Sequence, residues 1–172
     1  NLAYRDDCTA DVFFSDDMEG GGGLWSVSHG AGTLDWILGS GNPHSEISAW
    51  FASDPGSISD QYLSSASLLM VPANGQLNFW HSYDTEADFD GGVVEVSTNG
   101  VIWSDLGPYM TQSGYNSTIP IAYGSPISGR AAFISKHRST WADTRDSLCI
   151  YVSAWHQMQV FPETAGMLMT YL

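Results

Sequence analysis

Turn-forming residues, chiefly Gly, Pro, Asn, Asp and Ser, recur at short intervals along this chain and cut its apolar content into pieces of strand length. The pieces are "DVFFS", "GLWSVS", "LDWILG", "EISAWFA", "YLSSASLLMV", "QLNFWHSY", "GGVVEVSTNG", "VIWSDLG" and "GRAAFIS". In "NFWHSY" and "VVEVS" apolar and polar residues alternate, which is the period of a strand with one face buried and the other wet. "STNGVIW" sets Asn99-Gly100 between two such runs. Asn and Gly both tolerate the positive φ that a two-residue type I′ turn requires, and the twist of that turn matches its strands, so a hairpin is predicted here. No amphipathic helix of about ten residues or more stands out. Short strands at regular spacing predict an all-β fold, an antiparallel β-sandwich of jelly-roll type. A chain of 172 residues, 43% of them apolar, is the size of one domain with a real core.

Charge narrows the partners. Five Lys and Arg face 19 Asp and Glu, a formal net charge of -14, so nucleic acid and anionic membrane surfaces are repelled and cations attracted. No apolar run reaches the roughly 18 residues needed to cross a bilayer, and no membrane insertion is expected. Low Lys content with abundant Gly, Ser, Asp and Trp points to a secreted, extracellular protein. Cys8 and Cys149 offer one disulfide in an oxidising compartment, but neither stands in a CxxC motif. The opening "NLAYRDDCTA" reads as a linker over residues 1–11, so the chain is expected to be a piece of a longer protein.

Enzyme signatures are lacking. The sequence has no HExxH helix, no GxSxG elbow and no GxxxxGK[ST] loop. His44 and Glu46 in "NPHSEIS" fit a solvated turn better than an acid and base. His81 alternates with Phe79 and Tyr83 and is expected on a sheet face. "EGGGGLW" has no following Lys and reads as a flexible turn. "NST" at Asn116 to Thr118 matches a glycosylation sequon, which would carry little meaning if the source were bacterial.

Two acidic clusters and the aromatics remain as candidates. "FFSDDMEGG" carries Asp16, Asp17 and Glu19, and "DTEADFDGG" carries Asp84, Glu86, Asp88 and Asp90. Calcium takes six to eight oxygens from carboxylates and backbone carbonyls, and loops at strand ends supply both, although Asp is also common in turns for its own hydrogen bonding. Neither cluster has EF-hand spacing. Trp25, Trp36, Trp50, Trp80 and Trp103 suit sugar stacking or the filling of a sandwich core.

Three stretches, "VFFSDDMEGG" with its following Trp, "EISAWFASDP" through "ISDQYLSSASLLMVP", and "LNFWHSYDTEADFDGGVVEVSTNGVIWSDLG", resemble the jelly-roll accessory domain of secreted bacterial metallopeptidases of the fungalysin and immune-inhibitor-A types. The resemblance extends distantly to MAM domains. It covers roughly Val12 to Phe133, giving a sandwich domain over residues 12–133, and its most specific piece is "FWHSY" followed by "DGGVVEVSTNG". It implies a non-catalytic, often calcium-stabilised β-sandwich beside a catalytic domain, with an adhesive or substrate-binding role. Asp17 and Glu19 match the family's acidic opening, and Asp90-Gly91-Gly92 its central turn.

The family closes with strands resembling "RFRLASD" and "GWYVDDI", which this chain lacks; its residues 134–172 lose the earlier alternation. Reading each codon one base early permits them within codon degeneracy. Met169-Thr170 then forces GAC, an Asp, while Trp155-His156 and Met158-Gln159 each force GCA, an Ala. From Ile150 onward the shifted frame permits "LRFRLASDASVSGNGWYVDDI", and from Ser139 to Ile150 a stretch like "NLGRYAGQTVYL". The reading frame is therefore expected to change between about Phe133 and Ser139, which would make Cys149 an accident and leave a Cys8-Cys149 bond without rationale. A sandwich without its closing strands would expose strand edges.

Together these readings predict a secreted accessory module, with the catalytic domain of the same parent chain as partner and a glycan or protein as ligand. Trp50, Trp80, Tyr83 and Trp103 are the expected binding residues, and Asp17, Glu19 and Asp90 the expected ligands of a structural calcium. The rivals are a jelly-roll glycosidase or polysaccharide lyase using Glu46, Glu86 or Glu95, and a MAM-like adhesion module. Paired carboxylates about 5 to 9 Å apart in an aromatic cleft would favour the enzyme.

Overall fold

A computed structural model describes residues 13–134, apart from 42, 45, 72–74, 87, 112 and 124–125, together with two later strands, Leu148–Ser153 and Gly166–Tyr171. The linker with Cys8, the rest of the tail, the Cys149 side chain and any pairing of the two cysteines lie outside these residues. The fold is all-β. In chain order the strands are β1 (Trp25–Ala31), β2 (Ile37–Gly39), β3 (Ala49–Phe51), β4 (Asp60–Ser65), β5 (Gln76–His81), β6 (Gly92–Ser97), β7 (Ser104–Asp105), β8 (Ser117–Thr118), β9 (Ala131–Ala132), β10 (Leu148–Ser153) and β11 (Gly166–Tyr171). Three single 3₁₀ turns, Gly22–Leu24, Gly107–Tyr109 and Ile121–Tyr123, are the helical pieces among the described residues.

Five strands form one antiparallel sheet in the order β1-β4-β11-β6-β7, and the ladders β10-β5, β2-β3 and β8-β9 complete the structure. Alternation along β4 sends Leu63 to one face and Tyr62 and Ser64 to the other. On the inner face Leu63 joins Trp25, with Phe14, Met18, Trp36, Trp50 and Leu77 packed around them. Val94 joins Leu106 and Phe133 there; Leu77 of β5 packs on both groups and Phe79 on the second, so β5 lies over the inner face. On the outer face Val93 is covered by Ile119, Ile127, Ala132 and Ile134. Thus β6 is buried on both sides along part of its length, which is why "GVVEVS" is less strictly alternating than a half-exposed strand.

Eight of the nine predicted segments contain a strand. "DVFFS" does not over its described part: Phe13 to Ser15 stay irregular, and Phe14 instead sets its ring edge-on to Trp25 at 6.0 Å. The hairpin between β6 and β7 forms, with Glu95 opposite Asp105 and Val96 opposite Ser104, but the two-residue type I′ turn is replaced by a longer loop. Gly100 has φ +70° and Asn99 has no positive φ. The reason is that Asn99 uses its side chain: Oδ1 accepts the N–H groups of Val101 and Ile102, each at 2.9 Å, while Ser97 Oγ accepts those of Asn99 and Gly100 at 3.2 and 2.9 Å. Such side-chain bonds hold a loop that backbone pairing alone does not close.

The tail contributes two strands. β10 runs antiparallel to β5, with Cys149 opposite Trp80. β11 fills the sheet between β4 and β6, with Met169 opposite both Leu63 and Val94. An open ladder on either strand is a row of unmet donors and acceptors, and backbone hydrogen bonding accepts a partner with little regard to its side chains.

His81 lies where its alternation with Phe79 and Tyr83 puts it, 4.3 Å from the Phe133 ring and 5.5 and 5.2 Å from those of Phe79 and Tyr83. Its Nε2 is shut off from solvent without a partner. Burial pushes the imidazole down to about 4, so the folded chain holds it neutral. Between pH 4 and 6.5 the unfolded chain then binds a proton that the folded chain does not, so stability rises with pH across this window and falls away towards pH 4. In urea unfolding, His81→Phe is expected to flatten the dependence between pH 4 and 6.5; an unchanged slope would contradict the burial of a neutral ring. Leu63, 2% exposed, is expected to cost about 2–5 kcal/mol on substitution by Ala. Val101→Ala at a residue 78% exposed should stay within about 0.5 kcal/mol.

Candidate ligand groove on the outer sheet face

The outer face of the five-stranded sheet carries a groove of about 530 Å³. Ser28 from β1 and Asp60, Tyr62 and Ser64 from β4 line one side; Glu95 from β6, Trp103 and Arg130 line the other. Asp60, Tyr62 and Ser64 share this face because they are two residues apart on one strand.

A bulge shapes the β1 side. Pairing with β4 runs regularly from Trp25 opposite Ser65 to His29 opposite Gln61, then slips so that Ala31 stands opposite Asp60. Gly30 is the residue at the slip. A Cβ on Gly30 would fall 2.2 Å from the Tyr62 hydroxyl oxygen and 2.8 Å from Asp60 Oδ2, so the bare glycine is what admits the tyrosine tip. Tyr62 donates its hydroxyl to Asp60 Oδ2 at 2.5 Å. Burial, followed by this bond to a carboxylate, pushes the phenol up to about 12. Asp60 is 8% exposed, and its Oδ1 is buried without a partner. Burial also raises the Asp60 carboxyl above its ordinary range, against the lowering effect of the Tyr62 bond.

The opposite wall is held by Arg130, the only Lys or Arg among the described residues. Its Nη2 donates to Glu95 Oε1 at 2.7 Å and to Asp105 Oδ2 at 2.8 Å. Asp105 Oδ1 accepts the Tyr115 hydroxyl at 2.9 Å and the Gly107 N–H at 2.8 Å, and the Tyr115 oxygen accepts the Val94 N–H at 2.7 Å. Burial, only partly opposed by the Val94 bond, raises the Tyr115 phenol strongly, so it stays a donor. One cation therefore ties the segment that covers Val93 to β6 and to the edge strand β7.

The residues singled out by sequence fall in several places. Trp103 lines the groove. Trp50 packs against the Trp25 and Leu63 core with its indole N–H unpartnered, and Tyr83 packs on Phe133 at 5.8 Å. Trp80 is 49% exposed on β5, and the His44 ring stacks on it at 3.9 Å and 11°. Glu19 Oε1 accepts the N–H groups of Ile47 and Ser48, each at 2.8 Å, which lower its pKa and make it a clamp between two loops. Asp17 accepts the Glu19 N–H, and Asp16 accepts the Trp25 indole N–H at 2.6 Å. Asp90 is raised by burial and by the Asp54 charge, and accepts the Glu86 N–H at 3.3 Å. Among the described residues no three His, Cys, Asp or Glu side chains stand together as a metal site, so Asp17, Glu19 and Asp90 do not form one ligand group. Gly30, Asp60, Tyr62 and Arg130 were not singled out by sequence; the signals for them were a glycine inside a strand pattern and a lone cation among acids.

Compared with family models, curated proteins and solved structures, the chain matches none.

Replacing Arg130 by Met leaves two carboxylates facing each other beneath the covering segment. The expected loss is about 1–3 kcal/mol of stability in urea unfolding, the range for stranding partly buried hydrogen-bonded groups. A change below about 0.5 kcal/mol, the scatter of surface substitutions, would show that the cation does not brace this face.

Proposed function

We propose that this chain is a jelly-roll accessory module of a secreted hydrolase, by its resemblance a metallopeptidase, that binds ligand and has no catalytic role of its own. The observation that carries the binding role is the outer-face groove, where the hydrogen-bonded Asp60–Tyr62 pair, Trp103 and Arg130 line one cleft. Binding is favoured over catalysis by the state of the carboxylates. Glu95 is held by Arg130, and Glu46 and Glu86 are exposed on the loops before β3 and before β6. Support for the family comes from the strand order along the sequence and from the tail. The segments that take the places beside β5 and between β4 and β6, Leu148–Ser153 and Gly166–Tyr171, overlap the codons whose shifted frame reads "LRFR" and "WYVDDI".

Two measurements test this reading. Sequencing the locus from well upstream of Asn1 is expected to show a peptidase domain, and "GWYVDDI" one base out of frame; an isolated gene without either would contradict the parentage. The purified chain is expected to sediment with an insoluble polysaccharide or fibrous protein while turning over neither peptide nor glycoside substrates. Ser28→Trp, at an exposed position on the groove wall, is expected to lower the bound fraction at least about tenfold. Turnover that disappears in Glu95→Gln would replace the accessory module by an enzyme.

A further inference from the structure

We propose that the groove between β1, β4 and β6 is a binding subsite for a neutral sugar, recognised by the Tyr62–Asp60 pair and the Trp103 ring. This rests on the reading of the chain as a binding module and adds the chemical class of its ligand.

Three observations converge on that class. The groove, about 530 Å³, falls within the 300–1,000 Å³ of small-ligand clefts. Its walls mix acceptors (Asp60, Glu95), groups that both donate and accept (Ser28, Ser64, Tyr62) and one donor (Arg130). Sugar hydroxyls also donate and accept together, so they match such a set in a way that a purely cationic or purely anionic group does not. Trp103 and Tyr62 add aromatic surface of the kind on which the C–H face of a sugar ring packs.

The charge balance is equally selective. Arg130 is matched by Glu95 and Asp105, so among the described residues an incoming anion meets no unpaired cation and faces carboxylates. An incoming cation meets the Arg130 guanidinium in the wall. The unmet need of the site is for a hydroxyl donor. Asp60 Oδ2 accepts from Tyr62, while Oδ1 is closed to solvent, and so to a ligand, without a partner among the described residues. The Tyr62 oxygen, which donates its proton to Asp60 Oδ2, retains lone pairs to accept from a ligand hydroxyl. Gly30 makes this possible, because any side chain there would displace the Tyr62 tip.

The test is calorimetric titration of the chain with a panel of neutral hexasaccharides (cello-, manno- and chito-series), a polygalacturonate oligomer and a lysine-rich peptide. At least one neutral member is expected to bind saturably. Tyr62→Phe, which keeps the ring and removes the hydroxyl, should weaken it at least about tenfold, and Ser28→Trp should abolish it, with melting curves confirming that both variants fold. Binding of the uronate or the peptide with no neutral binder would overturn the ligand class and leave the binding-module reading standing. A neutral sugar that binds both variants as tightly as the wild type would overturn the location. No binding by any member, with no sedimentation on insoluble substrates, would overturn both readings.

Discussion

One guanidinium organises the outer face of this protein. Arg130 sits between Glu95 and Asp105 at 2.7 and 2.8 Å, and through Asp105 it is joined to Tyr115 and the backbone of Val94. In a chain with net charge -14, two carboxylates on adjacent strands would otherwise repel each other across the β6-β7 pair, where Glu95 and Asp105 stand directly opposite. The cation reverses the sign of that contact. It also pins the segment carrying Ile119, Ile127 and Ala132 onto Val93, which buries the second side of β6 and leaves the groove as the open remainder of the face.

The two sides of the groove solve opposite problems. On the Arg130 side the described charges, Arg130, Glu95 and Asp105, are paired with one another. On the Asp60 side a carboxyl is buried with half of its acceptor capacity unused, and a bulge with a bare glycine keeps the space above it open to a tyrosine. Buried groups without a partner also occur at Gln61 Oε1 on the same strand and at His81 Nε2, so the shortfall at Asp60 is one of several.

Most of the strands were legible in the sequence because alternation is imposed locally by one buried face, and β5 with Phe79, His81 and Tyr83 on one side is the clearest instance. The hairpin at Asn99-Gly100 was legible as well, but its turn type was not, since Asn99 satisfies the loop with its side chain instead of its own positive φ. The groove was largely illegible. Ser28, Asp60, Glu95 and Arg130 come from four distant points of the chain, and only sheet order brings them together. Aromatic abundance pointed to Trp50 and Tyr83, which serve packing, alongside Trp103, which does line the groove. The acidic clusters could be seen, but not that Glu19 would turn its carboxylate onto two backbone amides.

The central claim is that ligand binds on the outer sheet face and not at the exposed Trp80 edge, where the His44 ring is stacked. Amide chemical shifts of the ¹⁵N-labelled chain, followed through a titration with the neutral oligosaccharides, test this most directly. The account predicts perturbations gathered around Ser28, Gly30, Tyr62, Glu95 and Trp103, with the amides of His44 and Trp80 unmoved. Perturbations centred on His44 and Trp80, with the groove amides unmoved, would contradict it.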